Sequence, residues 1–194
     1  MKRVRSLAVF GLVLASAPAA ALAAPDSLSI HVTATVAQRC GITAGEHSSA
    51  PLRIDQSQSF ALGFDLDCNT PFRIGLSSRR GAMRLIAAPE GATDLDGFGI
   101  EKSYAVALTV ATDSLGNVDA GSCMSHDLLD RQGTCPFFGH PRAQTGFSPG
   151  DHETAIQRHG QILISWTGDD GTAARRLAAG DYQDILTVEV APQL

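Results

Sequence analysis

Several short stretches of this sequence carry residue types able to do chemistry. Gly146-Phe147-Ser148-Pro149-Gly150 matches the G-x-S-x-G pattern, in which a serine nucleophile sits on a sharp turn between a strand and a helix. That chemistry needs the residue after the serine to donate a backbone N–H to an oxyanion. Here that residue is Pro149, which has no N–H, and no helical pattern follows, so a turn is expected. Cys123-x-x-His126 and Cys135-x4-His140 together offer two thiols and two imidazoles, a set that zinc takes in a tetrahedron. The competing reading is a disulfide between the two cysteines with two exposed histidines beside it, and an oxidising compartment favours the disulfide. Ser125-His126-Asp127 is contiguous, so its side chains cannot converge as a catalytic triad does. Asp151-His152-Glu153 and Asp94-Leu95-Asp96-Gly97 carry ligand-type oxygens and nitrogens without the remaining spacing of a calcium loop or a metalloprotease helix. Solvated turns are the expectation there. The residues therefore point away from an enzyme, with no catalytic, cofactor-binding or metal-binding residue and no cofactor.

The compartment is legible at the N-terminus. Lys2, Arg3 and Arg5 precede a short apolar run at 7–14, and Ala21-Leu22-Ala23 places small residues where a signal peptidase reads. This predicts a signal peptide over 1–23 and a single domain over 24–194. No other run approaches the roughly eighteen apolar residues of a membrane span. Fifteen Lys and Arg against twenty Asp and Glu give a net charge of −5, and losing the three cations of the signal leaves the exported chain more acidic still. An acidic balance argues against nucleic acid and against docking on anionic lipid. The four cysteines, Cys40, Cys68, Cys123 and Cys135, read as two disulfides with three possible pairings. The nearest-neighbour pairing, Cys40–Cys68 and Cys123–Cys135, is preferred.

The elements that must position these residues are strands. Leu28, Ile30, Val32, Ala34 and Val36 alternate with polar residues. So do Phe60, Leu62, Phe64 and Leu66; Phe72, Ile74 and Leu76; Tyr104, Val106, Leu108 and Val110; Ile162, Ile164 and Trp166; and Leu186, Val188 and Val190. Period two buries one face of a strand and wets the other. Weaker candidates lie at 52–54 and 83–86. Such runs, punctuated by Gly, Pro, Asn and Asp, predict an all-β sandwich of about seven or eight strands. Residues 172–179 could form a helical turn or two, and 113–153 reads as a long, irregular surface excursion.

Three stretches carry a family resemblance. An alternating run enters the first cysteine at Ala34-Thr35-Val36-Ala37-Gln38-Arg39-Cys40, and a second strand ends at Cys68-Asn69-Thr70-Pro71-Phe72-Arg73-Ile74-Gly75-Leu76. The third is Ala179-Gly180-Asp181-Tyr182-Gln183-Asp184-Ile185-Leu186-Thr187-Val188-Glu189-Val190. Over roughly 28–110 and 160–190 the chain resembles the spore coat protein U family, which includes subunits of archaic chaperone–usher pili. It departs from the family pattern at 51–54, in the 113–153 excursion, which looks like an insertion, and at the C-terminal Leu194.

The resemblance implies an immunoglobulin-like sandwich lacking one edge strand, and hence a fibre subunit. A periplasmic chaperone fills the groove first, and a neighbouring subunit's N-terminal strand replaces it through an outer-membrane usher. It implies a periplasmic stage and then the cell surface. Leu28, Ile30, Val32, Ala34 and Val36 would be the donor strand, and Leu186, Val188 and Val190 the edge strand of the groove. Two alternatives stay open. The five N-terminal residues could line a first core strand instead, since the segment before Cys40 is too short to be both. The whole chain could also be a secreted binding module or small enzyme with a complete sandwich, using the 113–153 excursion.

Overall fold

A computed structural model describes residues 31–45, 52–90, 95–129, 134–168 and 176–194. The predicted signal peptide, Leu28, Ile30 and Asp94 lie outside them. The chain forms two units, Met1–Thr35 and Val36–Leu194. Of the first, residues 31–35 are described: they belong to no strand and are exposed.

The second unit is all-β. Its strands are β1 (Cys40–Ala44), β2 (Gln58–Cys68), β3 (Phe72–Ser78), β4 (Met83–Ala87), β5 (Glu101–Lys102), β6 (Ala105–Thr112), β7 (Gly116–Met124), β8 (Ala155–Trp166), β9 (Asp181–Gln183) and β10 (Leu186–Pro192). One antiparallel sheet runs β1-β2-β8-β6-β7, a second is β10-β3, and a small third is β5-β4-β9. The apolar halves of the alternating runs face one another. Leu66, Phe72, Ile74, Leu76, Val106, Leu108 and Val110 are all 0% exposed, and Ile162, Ile164 and Trp166 join them in one core.

Five of the six strong alternating runs correspond to β2, β3, β6, β8 and β10, and the weak candidate at 83–86 is β4. The candidate at 52–54 is not a strand. The Gln58 side chain accepts from the Arg53 N–H at 2.7 Å, and the chain turns there while Ile54 packs onto the core. Of the candidate helical turn at 172–179, residues 172–175 lie outside the described residues, and 176–179 are not helical: Leu177 bridges Gly99.

The 113–153 segment is less of an excursion than its composition predicts. Residues 113–115 are the turn of a hairpin, and β7 returns along β6. β7 escapes a period-two reading because it is a polar edge strand with a bulge. Gly121 takes φ +97°, its N–H is held by Asp119 Oδ1 at 2.8 Å, and the pairing slips between Leu108 and Thr109. Further on, Leu128, Phe137 and Pro141 are fully buried. An excursion that fills the core cannot be only surface.

An open strand edge as the candidate functional site

The core is finished on one side of the sandwich and unfinished on the other. β1 covers β2 only from Phe64 to Cys68, and Gly45 adds one bond to the Gly63 carbonyl at 3.0 Å. Among the described residues, the remaining part of β2 is paired with β8 alone. Across from it, β10 pairs, among the described residues, with β3 alone. β1 comes close to β10 without pairing with it.

Between these two margins lies an open groove. One stretch, about 330 Å³, is lined by Ile42, Ala44, Leu62, Phe64, Leu186 and Val188. A second, again about 330 Å³, shares Leu62 and Leu186 and continues past Phe60, Ile164 and Trp166 to Tyr104 and Asp184. Ile42, Phe60, Leu62, Leu186, Val188 and Val190 are inward-facing, yet each stays half-buried. Their counterparts Ile74 and Leu76 on β3 are fully buried. A row of core side chains without a covering layer is what an absent strand leaves behind.

The backbone tells the same story. At the ends of the β10–β3 ladder, the Arg79 N–H donates to the Ile185 carbonyl at 2.9 Å and the Gln193 N–H to the Pro71 carbonyl at 2.8 Å. Odd-numbered residues of β10 thus bond to β3. By the alternation of an antiparallel ladder, the N–H and C=O of Val188 and Val190 point to the open edge. Leu186 and Val188 line the groove, and Val190 follows them on the same side of β10.

One end of the groove is rigidly built. Asp184 accepts from Ser78 Oγ at 2.6 Å, Tyr104 Oη at 2.7 Å and the Arg80 N–H at 3.1 Å. Burial, and then the Asp184 carboxylate beside it, push the Tyr104 phenol well above the ordinary tyrosine range. These bonds fix the corner from which β10 starts.

At the other end, Cys40 and Cys68 are cross-strand partners and are bonded. Next to them Asn69 clamps the incoming chain: its Oδ1 accepts from the Arg39 N–H at 2.7 Å, and its Nδ2 donates to the Ala37 carbonyl at 2.9 Å. Val32, Ala34 and Val36 precede that clamp. They are exposed and in no strand, Val32 at 89% and Val36 at 82%.

The other candidate residues separate. Cys123 and Cys135 are bonded to each other, so neither offers a thiolate, while His126 sits by Asp127 and His140 by Glu189. Ser125 Oγ donates to the Gly81 carbonyl at 2.7 Å and accepts from the Tyr104 N–H at 3.2 Å, a structural role. Ser148 donates to Gln193 Oε1 at 2.7 Å and is followed by no helix. Asp151 accepts from Gln193 Nε2 at 3.2 Å. Among the described residues no group of three or more His, Cys, Asp or Glu could hold a metal ion, and no helix is long and apolar enough to cross a membrane.

Fold and site together define an all-β, twice-stapled sandwich with, among the described residues, one open, apolar strand edge. The two disulfides fit a chain that matures in an oxidising, extracytoplasmic compartment. No protein-family model and no curated protein matches the sequence.

Proposed function

We propose that this chain is a structural subunit of a secreted fibre, assembled by strand addition. The observation that carries the reading is the groove between β2 and β10. It pairs a row of half-buried apolar side chains with unpaired backbone groups of Val188 and Val190. An added strand supplies both needs at once. Its backbone completes the ladder, and every second side chain enters the groove. Leu28, Ile30, Val32, Ala34 and Val36 have that spacing, and the last three are exposed and unpaired in the isolated subunit.

In this reading a periplasmic chaperone covers the groove during folding, an outer-membrane usher brings subunits together, and a neighbouring subunit's 28–36 segment replaces the chaperone. The product is a fibre at the cell surface. No catalytic step and no cofactor are involved.

The test is Val32→Asp. It puts a carboxylate into an apolar site at a cost of several kcal/mol unless the group neutralises. Polymer formation, followed by size-exclusion chromatography, is expected to be lost while the folded subunit with its chaperone persists. Intact polymers from Val32→Asp, together with unfolding on deletion of 24–36, would make the segment a core strand of its own subunit.

A further inference from the structure

A two-stranded sheet has two edges, and among the described residues only that of β10 is open. The outer edge of β3 is occupied by the chain itself. The Ile74 N–H donates to the Phe147 carbonyl at 2.9 Å, and the Phe147 N–H donates back to the Ile74 carbonyl at 2.8 Å. The Leu76 N–H donates to the Phe137 carbonyl at 2.9 Å, and the Gly139 N–H donates to the Leu76 carbonyl at 3.4 Å. Ile74 and Leu76 are the β3 residues whose backbone faces away from β10, so these four bonds consume the edge.

The segment that does this is not a strand. It bridges β3 in two short pieces, at Phe138 and Phe147, with a 3-10 turn, Pro141–Ala143, between them. Glycines make the close approach possible. A Cβ at Gly75 would lie 2.3 Å from the Gly139 carbonyl oxygen. One at Gly146, where φ is +101°, would lie 2.6 Å from the Ile74 carbonyl oxygen.

One of the ties on this strap is covalent. Cys135 at its start is bonded to Cys123 on β7, and Pro136 packs against Gly121 of the same strand. Besides that bond the strap is held by the four hydrogen bonds, by the buried Phe137 and Pro141, and by Gln144 Nε2 and Ser148 Oγ, which donate to the Pro192 carbonyl at 3.3 Å and to Gln193 Oε1 at 2.7 Å.

We propose that residues 134–149, pinned by the Cys123–Cys135 bond, seal the β3 edge in place of a strand and so limit each subunit to one acceptor edge. Releasing the strap opens a second acceptor edge, and its occupant is the same 28–36 segment of a second copy. That edge presents the alternation that segment reads: Ile74 and Leu76 inward, with free N–H and C=O groups. The inference rests on the assembly reading above and adds a count to it: one strand per subunit.

The experiment uses the full chain carrying Val32→Asp, so that its own segment cannot compete, and a labelled peptide spanning residues 26–38. Native mass spectrometry counts peptides bound per chain. Val32→Asp alone is expected to bind one. Adding Cys123→Ser and Cys135→Ser is expected to raise the count to two. So is adding Gly146→Val, which displaces the strap without touching a cysteine. One peptide on every variant overturns the clasp and leaves the assembly reading standing. Two on Val32→Asp itself also overturn the clasp. No peptide on Val32→Asp overturns the assembly reading, and the clasp with it. Loss of the β-sheet circular dichroism signal in both released variants overturns the clasp as well, because the strap would then be part of the fold and not a seal on it.

Discussion

Single residues set the geometry of the open edge from a distance. Asp113 begins the β6–β7 turn and holds a bulge in β8: it accepts from Thr154 Oγ1 at 2.6 Å, the Ile156 N–H at 3.1 Å and Arg158 Nε at 2.6 Å. Gln157 sits there with φ +52°, and the β2–β8 pairing slips between Leu66 and Cys68. The Thr154 hydroxyl first, and then Arg158 and the Ile156 N–H, hold the Asp113 carboxyl below the ordinary carboxylate range. Because the folded value is depressed, this stabilisation is fully present above the unfolded value of about 4 and is lost as pH falls through the folded one. Asp113→Asn is expected to cost about 1–2 kcal/mol at neutral pH, and its Tm should fall less steeply below about pH 4 than that of the wild type. Thermal unfolding across pH 2.5–7 reads both, and parallel Tm curves would contradict the assignment. At the opposite end of the groove, Tyr104→Phe removes one bond to Asp184 and is expected to cost about 1 kcal/mol in urea unfolding, with the fold retained.

Such contacts were not legible in the sequence. Asp113 and Arg158 lie 45 positions apart, and neither stands in a motif. What could be read was chemistry that a single residue forbids, as Pro149 forbids the nucleophile elbow. The pairing of the cysteines was also legible, because few pairings exist and neighbours close the cheapest loops.

At the scale of elements, strands that turn a whole apolar face toward the core announced themselves, and strands that do not stayed silent. β2, β3, β6, β8 and β10 each set apolar residues at every second position against the core. β7 does so only at Val118 and Ala120 before its bulge resets the period. β1 is a short strand of mixed exposure, and β5 and β9 are two and three residues long. Their registers come from their neighbours, and no local pattern could give them. The alternating run at 28–36 is the instructive case. Period two states that a segment can be a strand, and the partner has to come from elsewhere. Residues 31–36 have no sheet partner within the described residues. The Cys40–Cys68 bond ties β1 to β2 where the groove begins. Replacing both with serine removes a cross-link spanning 28 positions. The chain-entropy model puts that loss at roughly 3.5 kcal/mol. Denaturant unfolding should show a drop of that order, and a drop below about 1 kcal/mol would mean β1 is held by its ladder alone.

For the whole molecule, the two sides of the sandwich carry the functional argument. On the β3–β7 side the edge is crossed by a strap and stapled. On the β2–β10 side Leu62, Leu186 and Val188 stay half-buried over an open groove. The alternating sequence showed that a sandwich would form. It could not show which edge would be left uncovered, because that depends on where a loop with no period of its own comes to rest. The central claim is that the uncovered edge accepts the 28–36 segment of another copy, and it is tested most directly by complementation between two broken subunits. Val32→Asp keeps the groove and loses the donor. Val188→Lys keeps the donor and sets a charge at the groove margin. Each variant alone is expected to give no polymer. Produced together, they should give a one-to-one heterodimer and nothing longer, since the Val188→Lys donor fits the Val32→Asp groove and no further site remains. Native mass spectrometry of the mixture decides it. Monomers only, or polymers from either variant alone, would contradict the account.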